Sequence, residues 1–417
     1  WSSAASDVYK RQDEAEAILM RSESGTLLRW LDSLPEEIVQ DRPSLCAYRA
    51  WALFLDGQPW DEIKTHLVAA DCEDLSMSGK ATALHALAAI YQGRLTQAEE
   101  LSRQALQGLS EDDILLRSIA SWNLGMVYLS QGHDQKGIKA LEEVARVSQE
   151  TGNLMVTVMV LCNLADVWFK RGQLHEAEAI YQRALEHAID RQGRRLPVAG
   201  QALIGLGEIE REWNQLETAT QHLSEGIQLV QNWGNIWAIE GYLTLARVQQ
   251  AMEKYDAAQE SFVKAQKLAE QFDVTELDDK VVALHLARFR VAQKHFDAVI
   301  QWVDERRLRQ EAALEEGLEG EIYNNYHIRI YERIVLARLM IAQGQYQKAI
   351  NFLTLVIVAA QNAGRVNLMI EAHILRSLAF YAQDWADEAL RAVETALSMA
   401  EEGGYVRLFV DEGQLMK

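Results

Sequence analysis

Eight positions in this chain recur at a near-constant interval and change character along it. Leu87, Met126, Asp166, Glu208, Arg247, Arg288, Arg338 and Leu378 follow one another by 39, 40, 42, 39, 41, 50 and 40 residues. The column is apolar, then acidic for two steps, then arginine for three. A guanidinium grips carboxylate or phosphate through two parallel hydrogen bonds, so three in register have the chemistry of an anion site. In a chain of net charge −20 such a run is unexpected. Two readings follow. Arg247, Arg288 and Arg338 line a site for an acidic ligand or peptide segment, or they pair with Glu208, Glu240 and similar neighbours to hold the structure together. Catalytic patterns are missing: there is no HExxH, GxSxG or CxxC, and no GxxxxGK[ST] phosphate loop. The ten histidines, among them His175, His187, His222 and His295, are dispersed and read as surface or capping groups. The sequence therefore offers no catalytic residue, no metal ligand set and no cofactor site, and the chain is not expected to be an enzyme.

A column of this kind needs a repeating scaffold to present it, and the scaffold is written at the same interval. Gly93, Gly132, Gly172, Asn214, Glu253, Lys294, Gly344 and Asp384 mark one turn per unit. Seven residues before them stand Ala86, Gly125, Ala165, Gly207, Ala246, Ala287, Ala337 and Ser377, all small. Five residues after them stand Ala98, Gly137, Ala177, Ala219, Ala258, Val299, Ala349 and Ala389. Small residues on two neighbouring helices let the axes approach to the short end of the usual range, about 8 Å. A Gly, Asn or polar residue between them ends the first helix and turns the chain. Each unit is thus a helical hairpin that cannot bury its apolar face alone and stacks on the next. Units about 10 Å apart would spread the three arginines over about 20 Å of the concave side. A weaker ninth unit, with Gly57 at its turn and Ala50 before it, precedes the eight. The one long step places about ten extra residues near DERRLRQEAALEEGLEGE, residues 304–321, read as a solvated helical extension or protruding loop.

Composition agrees. Prolines number four, Pro35, Pro43, Pro59 and Pro197, and proline inside a helix costs about 3 kcal/mol. At 417 residues the chain exceeds the roughly 250–300 residues that one compact core reaches. The acidic balance argues against nucleic-acid binding by this segment. Cys46, Cys72 and Cys162 form no disulfide framework or metal pair, and a reduced, cytoplasmic setting is expected. No apolar run reaches the length of a membrane span, and the start lacks the order of a secretory signal. The opening WSSAASDVYKRQ has no initiator Met and resembles translated adaptor sequence, so residues 1–12 are read as a non-native segment.

Six units carry Leu before the small residue: Leu124, Leu164, Leu206, Leu245, Leu286 and Leu336. The stretch LGMVY, residues 124–128, resembles the core of tetratricopeptide repeats, although the period is nearer 40 than 34 and the usual proline is missing. The expected fold is all-α: a right-handed superhelix of stacked antiparallel helical hairpins. In peptide-binding members of that family an Asn two before the small residue holds the ligand backbone. The resemblance carries this role to Asn123 and Asn163 only, and a helix cap or inter-helix hydrogen bond is the other reading of both.

Three longer segments resemble large LuxR-type transcription activators of the maltose-regulon kind. They are WLDSLPEEIVQDRPSLCAYRAWALFLDGQ (30–58), EGYLTLARVQQAMEKYDAAQESFVKAQKLA (240–269) and AEEGGYVRLFVDEGQLM (400–416). The resemblance implies a linker and first helices over 13–60, a repeat superhelix over 61–400, and a terminal segment over 401–417 leading towards a further domain. It also implies a sensor region that binds a small-molecule inducer or a protein or peptide partner, the nucleotide- and DNA-binding modules lying outside this segment. A general tetratricopeptide interaction scaffold is the alternative. An open stack exposes both ends, through which copies could self-associate. Trp233 and Trp237 flank a glycine at a unit junction, either as exposed stacking platforms or as packing beneath the junction.

Overall fold

The computed structural model describes residues 15–413 except 16, 20–22, 56–57, 59, 71–74, 92–93, 191, 232–235, 273–275, 307 and 309–322. Residues 1–12, Gly57, Cys72, Gly93, Trp233 and most of the charged run at 304–321 lie outside these described residues. Among the described residues there is no strand, only one isolated bridge between Ile189 and Arg195.

Two short helices, α1 (Ser24–Asp32) and α2 (Glu36–Gln40), lead into a stack of hairpins. The first three pairs are α3 (Pro43–Leu55) with α4 (Trp60–Ala70), α5 (Leu75–Tyr91) with α6 (Leu95–Gly108), and α7 (Ile114–Ser130) with α8 (Asp134–Glu150). The middle three are α9 (Leu154–Lys170) with α10 (Leu174–His187), α11 (Ala199–Glu212) with α12 (Leu216–Gln231), and α13 (Ile236–Ala251) with α14 (Tyr255–Phe272). The last three are α15 (Glu276–Ala292) with α16 (Phe296–Glu305), α17 (Tyr323–Ala342) with α18 (Tyr346–Asn362), and α19 (Val366–Tyr381) with α20 (Ala386–Glu401). A single turn, α21 (Arg407–Val410), follows. First helices are sandwiched and second helices are outer. In α9, Met155 through Cys162 are buried without a break, whereas α10 buries one stripe, Leu174, Ala177, Tyr181 and Ala184, at helical spacing.

The turn register is the expected one. Gly132, Gly172, Asn214, Glu253, Lys294, Gly344 and Asp384 all have left-handed φ, between 60° and 83°. Each closes its helix with the paired bonds of a Schellman motif. At Lys294, for example, His295 N donates to Arg290 O at 2.9 Å and Lys294 N to Val291 O at 3.0 Å. Four of these residues are not glycine, and a left-handed L-residue costs about 1–2 kcal/mol. Part of that returns to a glycine as unfolded-state entropy, about 0.4–1 kcal/mol, so Glu253→Gly and Lys294→Gly are each expected to stabilise by about 0.5–1 kcal/mol. Urea denaturation of the two variants checks this; a loss of stability in both would show that their side chains hold the turn.

All eight small residues before the turns are buried, and so are all eight after them. The approach is close. A Cβ on Gly125 would lie 2.6 Å from Leu141, and one on Gly137 would lie 2.6 Å from Leu129, so the leucine of each helix occupies the partner's gap. Val299, the one larger residue of the set, is fully buried on the shorter α16.

The stack also returns on itself. The largest apolar cluster runs from the first hairpins to Ile209 and continues into Ile370 and Ile374 of α19, Ala396 and Ala400 of α20, and Tyr405 and Leu408 beyond. α17 touches α7, and α21 touches both α11 and α19. No helix among the described residues is long and apolar enough to cross a membrane.

Candidate functional site

The column of eight lies on the first helices, and Glu208, Arg247, Arg288 and Arg338 of it are ion-paired inside the coil, whereas Asp166 accepts from Tyr181. Arg247 on α13 donates to Glu208 at 3.0 Å and to Glu212 at 3.1 Å, both on α11. Arg288 on α15 donates to Glu371 on α19 at 2.9 Å. Arg338 on α17 straddles two carboxylates, with Nη2 on Glu371 at 2.7 Å and Nη1 on Glu412 at 2.9 Å. Two further arginines complete the group. Arg211 bonds both Glu212 and Asp411, and Arg407 bonds Asp411 and, at 3.0 Å, Asn214. Five guanidiniums thus face Glu208, Glu212, Glu371, Asp411 and Glu412. Glu208 is the partner foreseen from sequence; Glu371, Asp411 and Glu412 are not.

Residues 403–412 cross from the end of the stack onto α11. Val406 N donates to Glu212 O at 2.9 Å, and Trp213 Nε1 donates to Gly403 O at 2.8 Å. His175 stacks on Trp213 with ring centroids 4.9 Å apart. The family model described as the MalT-like TPR region matches residues 79–417. The chain belongs to this family. Among curated relatives, the HTH-type transcriptional regulator MalT of Serratia proteamaculans is 23% identical, covering 99% of this chain and 46% of its own length. MalT of Vibrio parahaemolyticus is 22% identical, covering 94% and 43%. The chain therefore spans less than half the length of these relatives. Two solved structures resemble it at 13% identity. A Rap protein complexed with competence and sporulation factor covers 95% of this chain and 98% of its own, with a TM-score of 0.49. The apo quorum sensor NprR from B. thuringiensis covers 95% and 99%, with a TM-score of 0.44.

The electrostatics of this MalT-like TPR region follow from burial against pairing. Burial opposes the charge on Glu371, but Arg288 and Arg338 outweigh it and hold the carboxyl down at about 2. Burial likewise opposes Asp411, and Arg211 with Arg407 still pull it below the usual carboxylate range. Glu208 goes the other way: burial, helped by Glu212 and Asp166, outweighs Arg247 and pushes it up. His285, half-buried on α15 one turn before Arg288, is held down at about 3 by burial and then by Arg247, Arg288 and Arg211, against Glu371. Its ordinary value is 6.5. A histidine kept neutral in the fold contributes fully above pH 6.5 and loses that contribution as pH falls towards 3. Between pH 7 and 5 the loss from His285 is expected to be about 2 kcal/mol. Urea midpoints at the two pH values should show His285→Gln removing this part of the slope; an unchanged slope would assign it to other groups.

The MalT-like TPR region places the other expected site residues, Asn123 and Asn163, outside these ion pairs. Asn123 is fully buried and donates to Ala83 O at 3.0 Å, tying α7 to α5. Asn163 accepts from Trp122 Nε1 at 2.6 Å, tying α9 to α7. It lines a small cavity of about 60 Å³ with Asp166, Lys170, Arg171 and, from the turn before α19, Gly364 and Arg365. Trp237 is half-buried against two apolar clusters. Cys46 and Cys162 are free and buried, and burial pushes both thiols up, so neither is a poised nucleophile. Among the described residues no group of three or more His, Cys, Asp or Glu is arranged to hold a metal ion.

Proposed function

We propose that this chain is the effector- and partner-binding sensor region of a bacterial LuxR-type transcription activator. The family match over residues 79–417 carries the reading. The relatives are HTH-type transcriptional regulators, which supports placing it beside a DNA-binding module. The concave face with Arg247, Arg288 and Arg338 is the proposed ligand site, and Asn163 the proposed polar contact at its neighbouring cavity. Asn123, buried between α5 and α7, would act by holding those helices in register. Binding can shift such a protein only if the ligand prefers one form of the coil to another. Here an anion must compete with Glu371 and Glu412 for Arg288 and Arg338, so the two forms differ in which carboxylate the arginines hold.

A thermal-shift screen tests this, with sugars, nucleotides, acidic metabolites and acidic peptides. A ligand at 100 times its Kd stabilises by about 2.7 kcal/mol. The expected result is a rise in Tm with an anionic compound, lost in Arg288→Ala. A neutral sugar acting equally on both proteins would keep the sensor reading and remove the arginines from the site. No shift across the whole set, peptides included, would overturn the reading.

A further inference from the structure

Residues 403–412 have the features of a bound ligand. Gly403 sits so close to the N-terminal half that a Cβ there would lie 2.3 Å from Gly172 O. Tyr405 and Leu408 bury their side chains in the main apolar cluster, and Val406 adds a backbone bond to α11. Asp411 and Glu412 then deliver adjacent carboxylates to Arg211 and Arg338, groups on α11 and α17 that are themselves buried or nearly so. The segment follows α20 directly and turns at Gly404, whose φ is left-handed. Its interface combines the apolar anchors Tyr405 and Leu408 with two ion pairs, Asp411 to Arg211 and Glu412 to Arg338. Buried ion pairs add little net stability over apolar packing, because each charge regains full hydration when it leaves. An interface of this composition separates more readily than an apolar one of equal size.

We propose that Arg211, Arg338 and the groove of α11 form a binding site for an acidic peptide segment, which the chain's own residues 403–412 fill as a tethered ligand. A peptide with two aromatic or aliphatic anchors followed by adjacent carboxylates competes for the site from outside. Displacement frees residues 403–412 and opens the contact between the two halves of the coil. This rests on the sensor reading above, and it names the ligand chemistry and the regulation of the same face.

The probe is a fluorescein-labelled decapeptide of residues 403–412, GGYVRLFVDE, with a control carrying Asn and Gln in place of its two terminal acids. Fluorescence anisotropy is measured on the full chain, on Asp411→Asn/Glu412→Gln, and on Gly403→Val, which pries the segment off Gly172 without touching a charge. Both variants are expected to bind the acidic peptide at least tenfold more tightly than the unaltered chain. The control should bind at least tenfold more weakly, and Arg338→Met in the Gly403→Val background should abolish binding. Equal binding of peptide and control, or no binding by variants that keep the parent's helical circular dichroism, would overturn the proposal. Hydrogen exchange on the unaltered chain gives a variant-free measurement. The Val406 amide is expected to exchange at least tenfold faster than amides in α19. If it exchanges only with global unfolding, the segment does not open and the proposal fails. A neutral ligand raising Tm while the peptide never binds would sink this inference alone and leave the sensor reading standing.

Discussion

Arg338→Met is expected to lower the unfolding free energy by about 3–5 kcal/mol, the usual effect of removing one partner from a buried ion pair. Arg338 serves two carboxylates, Glu371 and Glu412, whose side chains are 3% and 7% exposed. Methionine fills much of the space of the stem but satisfies neither acid. Glu371 keeps Arg288, so Glu412 is the group left with an uncompensated charge. Adding Glu412→Gln should therefore recover a sizeable part of the loss, and the double-mutant cycle isolates the coupling. Acid titration supplies an independent sign. Glu371 has a folded pKa of about 2 against an ordinary 4.5, so its contribution is complete above pH 4.5 and disappears as pH falls towards 2. Without Arg338 its folded pKa rises towards 4.5 and this acid-labile contribution shrinks. A variant with parental stability and an unchanged acid limb would show that water already serves both carboxylates.

Gly207→Leu is expected to destabilise by about 3 kcal/mol, the upper part of the range for overpacking a filled core. A Cβ on Gly207 would lie 2.6 Å from Leu223 Cγ and 3.3 Å from Ala219 O. Leu223 is fully buried and has no free direction to move, and Ala219 O is backbone. The α11–α12 hairpin would have to part along its length. Since α11 also carries Glu208, Arg211 and Glu212, parting it should disturb the ionic group as well. Thermal melting reads the first effect, and loss of the His285-dependent pH slope reads the second. An unchanged Tm would mean the hairpins pack in another register.

Most of the scaffold was legible in the sequence, and the reason is local. Helix, turn and small-residue contacts lie within about twenty residues of one another, so spacing alone locates them. That is why Glu253, Lys294 and Asp384 could be assigned to turns although they are not glycine, and all three are left-handed. The arginine column was legible for the same reason. Glu208 was legible as a partner, but the others were not, because Glu412 meets Arg338 across 74 residues and Glu371 meets it from a neighbouring first helix. No periodicity links such pairs. The signal that existed was the acidic pair near Arg407 in the closing VRLFVDEG run, which has no spacing that ties it to α11. At Asn123 the inter-helix hydrogen bond is the reading that the bond to Ala83 O fits, and it makes the residue part of the packing between units.

The returning segment also bears on how the molecule folds. A linear array of repeats unfolds from its ends, each unit feeling only its neighbours. Here Trp213 and Gly403, Arg407 and Asn214, and Arg211 and Asp411 join positions 190, 193 and 200 residues apart. Such contacts raise the contact order and couple distant units into one cooperative block, so the later hairpins cannot fray without releasing the earlier ones. Closure of so long a loop is entropically disfavoured until the intervening hairpins are built. Docking of residues 403–412 is thus the natural last event of folding, and the first to reverse on unfolding. The array behaves as a one-dimensional chain of springs coupled to their neighbours before that event and as a single ring after it.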